Sequence, residues 1–254
     1  MMNFRYLTPI ALACALTAGC GGDDSPTPVS AKELCFSPDN SLIGWKADLQ
    51  YNEGKSNGQR RISMLQAPVA GDIGTLFPGV TGASDTDPSL RIRVTRSYST
   101  SVLLTGITYI STLERVEEGR VITFAEHLSY RTYSRNTTYE PGKRDLRLEL
   151  VDGATGSTAT QQYRVSTDTG PSLTTPNVEQ STTFLGVQSI ETPAGVLEAC
   201  AFESTTTPLH VDEPTAPEKI VEWIYRGVVV KTDLGAGRLN DVLTSGEVND
   251  LPIK

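Results

Sequence analysis

The chain has 254 residues, 22 Lys and Arg against 30 Asp and Glu, and a net charge of −8. That acidic balance argues against a nucleic-acid partner, because such binding draws much of its affinity from basic contacts to phosphate. The apolar share, 38%, is enough to pack one core over a chain of this length.

Met1-Met2-Asn3-Phe4-Arg5 carries one positive charge and no acid, and an uncharged, largely apolar run follows from Tyr6 to Gly19. This is the shape of a secretory signal peptide. The run is shorter than the roughly 20 apolar residues that span a bilayer core, and Pro9 interrupts it. It closes on Leu16-Thr17-Ala18-Gly19-Cys20, which resembles the lipobox of bacterial lipoproteins, with Thr17 standing where leucine is usual. The resemblance implies cleavage before Cys20, acylation of Cys20 (palmitate among the acyl groups) and an envelope location. Gly21 rather than Asp in the next position implies sorting to the outer membrane. The alternative is that Cys20 is an ordinary residue beside a conventional cleavage site.

Residues 20–33 read as a lipid-bearing cysteine and a flexible tether. Gly21-Gly22-Asp23-Asp24-Ser25-Pro26-Thr27-Pro28 is too poor in apolar side chains to fold. Loss of residues 1–19 removes Arg5 and no acid, leaving 21 bases against 30 acids, a net charge of −9.

Residues 34–254 read as a single all-β domain. Apolar side chains alternate with polar ones in Leu90-Arg91-Ile92-Arg93-Val94-Thr95, putting Leu90, Ile92 and Val94 on one face of a half-buried strand. On that reading Arg91 and Arg93 form a solvated face. In chain order, strands are predicted over 45–51, 61–66, 90–95, 102–112, 121–130, 145–151, 161–166, 181–190, 196–204, 220–231 and 239–248. Asn52-Glu53-Gly54, Asn57-Gly58, Glu118-Gly119, Pro141-Gly142, Asp152-Gly153 and Gly235-Ala236-Gly237 punctuate them. Residues 113–118 could make about one helical turn, and 205–217, with three prolines, reads as a long loop. An antiparallel meander of this size must curl or close to hide its edges, so a barrel, half-barrel or sandwich is expected.

In the last third, Thr192-Pro193-Ala194-Gly195-Val196-Leu197-Glu198-Ala199-Cys200 and Trp223-Ile224-Tyr225-Arg226-Gly227-Val228-Val229-Val230-Lys231 together resemble a pair of strands found in secreted bacterial β proteins of unknown function. That resemblance implies a fold class and no catalytic residue.

Of the four cysteines, Cys14 departs with the signal peptide and Cys20 is reserved for lipid. Cys35 and Cys200 are left as a pair in an oxidising compartment, where a disulfide is expected; two buried free thiols are the alternative. The two histidines, His127 and His210, have no second ligand at metal spacing. Neither Gly-x-Ser-x-Gly nor Ser-x-x-Lys occurs. Asp85-Thr86-Asp87-Pro88-Ser89 lacks the glycine and the glutamate of an EF-hand and reads as a solvated turn or a weak calcium loop. Glu114, Glu117 and Glu118 read as a charged strand end. Trp45, Tyr98, Tyr109, Phe124, Tyr130, Tyr133, Trp223 and Tyr225 are assigned to core packing, or to the mouth of a barrel.

No catalytic residue, cofactor site or metal site is expected. The reading is a non-enzymatic envelope lipoprotein acting as a binding or structural module, joined to the membrane through Cys20, with a protein or a hydrophobic small molecule as partner. A carrier of a lipid-like ligand in an apolar lumen is the first alternative, and a hydrolase whose site is assembled by the fold is the second.

Overall fold

The computed structural model describes residues 30–54, 58–80, 83–84, 86–100, 106–168, 177–209, 216–235 and 240–253. The expected signal peptide, Cys20, most of the expected tether, Asp85 and His210 lie outside them.

Each strand runs antiparallel to the one before it: β1 (Lys46–Glu53), β2 (Gly58–Pro68), β3 (Leu90–Ser99), β4 (Gly106–Glu117), β5 (Arg120–Tyr130), β6 (Tyr133–Arg144), β7 (Thr158–Asp168), β8 (Asn177–Thr192), β9 (Gly195–Leu209), β10 (Glu218–Tyr225), β11 (Val228–Asp233) and β12 (Asp241–Val248). β12 then pairs with β1, from Ala47 opposite Val248 to Glu53 opposite Asp241, so the meander closes into a twelve-stranded barrel. A short β13 (Leu251–Pro252) folds back on β12. Of the three expected all-β architectures, the closed barrel is the one formed, and closure removes the two edges an open meander would expose.

Several elements differ from the sequence-based expectation. The alternating leucines of 145–151 form a helix, α3 (Leu146–Leu150), whose N-cap Asp145 accepts a hydrogen bond from the Arg147 amide at 3.2 Å. Over five residues, leucines at 146, 148 and 150 satisfy a strand's period of two. Leu146 and Leu150 equally satisfy the i, i+4 spacing of a helix, and those two are buried. The window is too short to separate the two periods. β6 went unread because its lumenal positions, Arg135, Thr137 and Tyr139, are polar and carry no apolar alternation. The expected strand 220–231 is a hairpin, β10 and β11, turned by Arg226 and Gly227, both at positive φ (50° and 79°). Residues 113–117 continue β4 rather than turning helically, and 205–209 belong to β9 rather than to a loop.

The N-terminal segment folds onto the barrel. The last residues of the expected tether are part of a helix, because Ser30 and Glu33 form a reciprocal cap: Glu33 N–H donates to Ser30 Oγ (3.1 Å) and Ser30 N–H to Glu33 Oε2 (3.2 Å). The cap opens helix α1 (Ala31–Cys35). Cys35 is disulfide-bonded to Cys200 on β9, with the Cα atoms 5.7 Å apart. The carbonyls of Leu34 and Cys35 accept the backbone N–H groups of Arg226 (3.1 Å) and Gly227 (2.6 Å). Gly227 has no alternative residue here, because a Cβ on it would occupy the space filled by the amide of Asn40. Around the disulfide, Phe36, Leu146, Leu150, Phe184, Phe202 and Ile224 pack into one apolar cluster.

Two further clusters complete the core. Trp45, Ala47, Leu49 and Tyr51 of β1 and its approach pack with Val228, Val230 and Leu243, and with Ile190 and Leu197 from the far end of the β8–β9 hairpin. The outward side chains Leu90 and Leu113 pack with Phe124 under Ile73 and Phe77, which come from α2 (Ile73–Leu76) and its C-cap in the β2–β3 connection.

Reduction of the Cys35–Cys200 bond releases a 165-residue separation. We expect it to lower the melting temperature by on the order of 5–15 °C, from a loss of about 2–5 kcal/mol. Differential scanning calorimetry with and without reductant measures this, and an unchanged melt would assign the clamp no energetic role.

Candidate functional site: a charged lumen divided by ion pairs

Strand alternation places one side chain in two inside the barrel, and on β3 to β10 many of these are polar or charged. Two cavities result, of about 720 Å³ and about 630 Å³, which share Arg93, Val121, Asp145, Arg147 and Glu222 as a common wall. The larger is lined on one side by the N-terminal segment, through Ser30, Phe36, Asn40 and Ser41, and has Ile62 and Met64 of β2 and Ile224 of β10 among its apolar lining. The smaller is lined by β4 to β10 and includes Glu126, Arg135, Tyr139 and Tyr163.

The shared wall is an ion-pair network built on α3. The Arg147 guanidinium donates to both carboxylate oxygens of Asp145 at 2.8 Å and to Glu222 Oε2 of β10, also at 2.8 Å. Burial drives the Asp145 carboxyl up, but the charge of Arg147 and its side-chain and backbone hydrogen bonds outweigh that and hold it below the ordinary aspartate range. Arg147 is displaced the opposite way: desolvation is exceeded by Asp145 and Glu222, so it stays charged. Nearby, Arg144 donates to both oxygens of Glu149 (3.0 and 3.1 Å).

A second group lies on β3 and β4. Arg91 and Arg93 share one carboxylate, Glu114, with contacts of 3.3 and 3.2 Å. Arg91 and Glu114 are buried to within a few per cent. Burial lowers the Arg91 pKa, Glu114 offsets part of this, and the charge of Arg93 adds to the lowering. Arg91 also donates to the carbonyl of Ser41 in the N-terminal segment. At the β1–β12 seam, Arg60 is paired with Asp241, whose carboxyl is raised by burial against the pull of Arg60, with Glu53 raising it further. Tyr51 donates to the carbonyl of Val229 at 2.6 Å, and burial pushes its phenol well above the ordinary value. The Tyr163 phenol is pushed up to about 12 by burial and then by Glu126, and Tyr139 rises for the same two reasons. All three shifts keep the phenols neutral at physiological pH.

Some of the sequence-derived assignments are therefore corrected. Arg91 and Arg93 face the lumen instead of solvent, because the apolar partners Leu90 and Ile92 are covered from outside by the β2–β3 connection. Glu114 is a buried lumenal carboxylate, whereas Glu117 and Glu118 do end a strand at an exposed turn. Of the aromatic set, Trp45 and Phe124 are buried, while Tyr98, Tyr109 and Tyr133 are exposed; the tyrosines lining the cavities are Tyr51, Tyr139 and Tyr163. The lumen is thus not a continuous apolar channel. His127 holds Asn136 Oδ1 at 2.6 Å through Nδ1, away from both cavities. Asp87 is engaged as a turn residue, accepting from the Ser89 amide (2.9 Å) and pairing with Arg115 (3.0 Å). Among the described residues, no three His, Cys, Asp or Glu side chains gather at metal-binding distance.

Because the folded pKa of Asp145 lies below its unfolded value, its stabilising contribution is complete at neutral pH and disappears as pH falls through the folded value. Asp145→Asn is expected to cost about 1.5–3 kcal/mol at pH 7. The gap from the unsubstituted chain should narrow below about pH 4, where the carboxylate protonates in the unfolded state. Urea denaturation across pH measures both, and a pH-independent gap would show that Asp145 acts through packing alone.

Comparison with known proteins finds no protein-family profile that matches the chain and no curated protein with a similar sequence. Two solved structures are similar to this chain at low identity. A presumed lipoprotein from Parabacteroides distasonis ATCC 8503 has 13% identity and a TM-score of 0.42, over 82% of this chain and 96% of that one. The hypothetical lipoprotein YmcC from Escherichia coli (K12) has 12% identity and a TM-score of 0.37, over 79% of this chain and 82% of that one.

Proposed function

We propose that this chain is a lipid-anchored bacterial envelope protein, located at the outer membrane, whose barrel works as a non-enzymatic binding or structural module. The observation that carries the non-enzymatic half is the engagement of the lumenal charges. Asp145, Glu114 and Glu222 are each held by guanidinium groups, so none of them is an available base or nucleophile at rest. The phenols are displaced away from ionisation. The anchored half rests on the lipobox-like Leu16-Thr17-Ala18-Gly19-Cys20, and the clamp between Cys35 and β9 suits it, since a pull on the N terminus is borne by a covalent bond to the barrel wall.

Cys20→Ser tests the anchor. The unsubstituted chain expressed in a Gram-negative host should incorporate radiolabelled palmitate and pellet with membranes. The variant should incorporate none, and be either released in soluble form or stalled at the unprocessed size. Recovery of label-free, mature-sized variant in the membrane fraction would refute the anchor.

A further inference from the structure

The larger cavity concentrates polar groups whose hydrogen-bonding capacity is not met. Arg91 Nη2, Arg93 Nε and both amide atoms of Asn40 are buried without a hydrogen-bond partner, and all three residues line this cavity. Gln66, which sits opposite Arg93 across the β2–β3 ladder, is 1% exposed and has both amide atoms unpartnered as well. Native interiors leave few such groups, and a run of them in and next to a cavity wall offers hydrogen-bonding capacity that a ligand or ordered water can use.

The charge count says what kind. Arg91 and Arg93 present two positive charges to the single carboxylate of Glu114, so this cluster carries one unit of positive charge in a site that burial has largely stripped of water. The unmet guanidinium valences are N–H donors, which require an acceptor. Asp145, Arg147 and Glu222 on the shared wall sum to one negative charge, which balances the Arg91–Arg93–Glu114 cluster and acts on Arg93 across the wall. The site therefore selects an anion through its unmet N–H donors rather than through net charge, and a second negative group is disfavoured. The remaining charged groups facing the cavity are Lys32, which is ion-paired with Asp152; Glu33, whose carboxylate caps α1; and Arg60, which is paired with Asp241 at the β1–β12 seam. Beside the cluster, on the neighbouring strand β2, lie the apolar side chains of Ile62 and Met64. Arg93 keeps about a third of its side chain open, which gives a ligand a point of approach.

We propose that the larger cavity binds a monoanion with an oxyanion head, a carboxylate or a phosphodiester, and a short apolar arm. The head is seated by Arg91 and Arg93, and the arm lies along Ile62 and Met64. The bidentate fork of a guanidinium matches both head groups. This deepens the binding-module reading and rests on it, but it is tested apart from the anchor.

The test is calorimetric titration of the chain as purified from the host in mild detergent, against the detergent alone, with hexanoate, dibutyl phosphate and hexanol. Saturable binding of hexanoate or dibutyl phosphate, with hexanol at least tenfold weaker, is expected, and the stronger of the two anions identifies the head. Arg93→Gln neutralises the cluster while leaving Glu114 paired with Arg91, and should weaken anion binding at least tenfold. Glu114→Gln adds net positive charge and should hold or tighten it, a direction that loss of packing would not produce. If Glu114→Gln fails to fold, as judged by its melt, Arg93→Gln decides alone. Absence of binding at millimolar concentration, equal binding of hexanol and hexanoate, or unchanged affinity in Arg93→Gln would each overturn the proposal. The Cys20→Ser fractionation is unaffected by any of these results, so the two readings fail separately.

Discussion

The pairing of β12 with β1 is the constraint on which the rest of the molecule depends. Without it the chain is a meander with two open edges; with it, every strand acquires an inside and an outside. The seam is not uniform. β1 and β12 pair from Ala47 to Glu53, whereas β11 and β12 meet, among the described residues, at Lys231 and Val242. The hydrogen bonds from Asp241 N–H to Thr232 Oγ1 and from Leu234 N–H to Asn240 Oδ1 support that narrower junction through side chains.

Enclosing charge inside a barrel costs solvation, and the lumen meets that cost by pairing. Arg147 is the central case, since one guanidinium satisfies two carboxylates from different elements and ties α3 to β10. Buried pairs of this kind contribute less to net stability than their contacts suggest, because desolvation consumes much of the Coulombic gain. Their structural effect is positional. Asp145, Arg147 and Glu222 set where the lumen is divided, and Leu146 and Leu150 on the same short helix join the apolar cluster around the disulfide. One five-residue helix therefore couples the polar wall to the apolar core.

The N-terminal segment from Ser30 to Ser41 is part of the lumen wall. Cys35 fixes it to β9, the β10–β11 turn holds its helix carbonyls, and Ser41 receives Arg91 from the barrel wall. The stretch that would carry the pull of an anchor is thus also a wall of the larger cavity.

By itself the sequence determined the all-β class, most of the strands and the Cys35–Cys200 pair. Period-two alternation, turn dipeptides and the elimination of Cys14 and Cys20 are local or arithmetical signals, and such signals survive without knowledge of the fold. Only the tertiary structure decided which face of each strand is enclosed. In Leu90-Arg91-Ile92-Arg93 the alternation names two faces but not the inner one, and here α2 and its flanks cover the leucine side while the arginines turn inward. The same indeterminacy hid β6, whose lumenal residues are polar, and made a strand of α3, whose five residues fit either period. The candidate site was illegible for that reason. Arg91, Glu114, Asp145, Arg147 and Glu222 come from β3, β4, α3 and its cap, and β10, and they become neighbours only when a twelve-stranded sheet closes on itself.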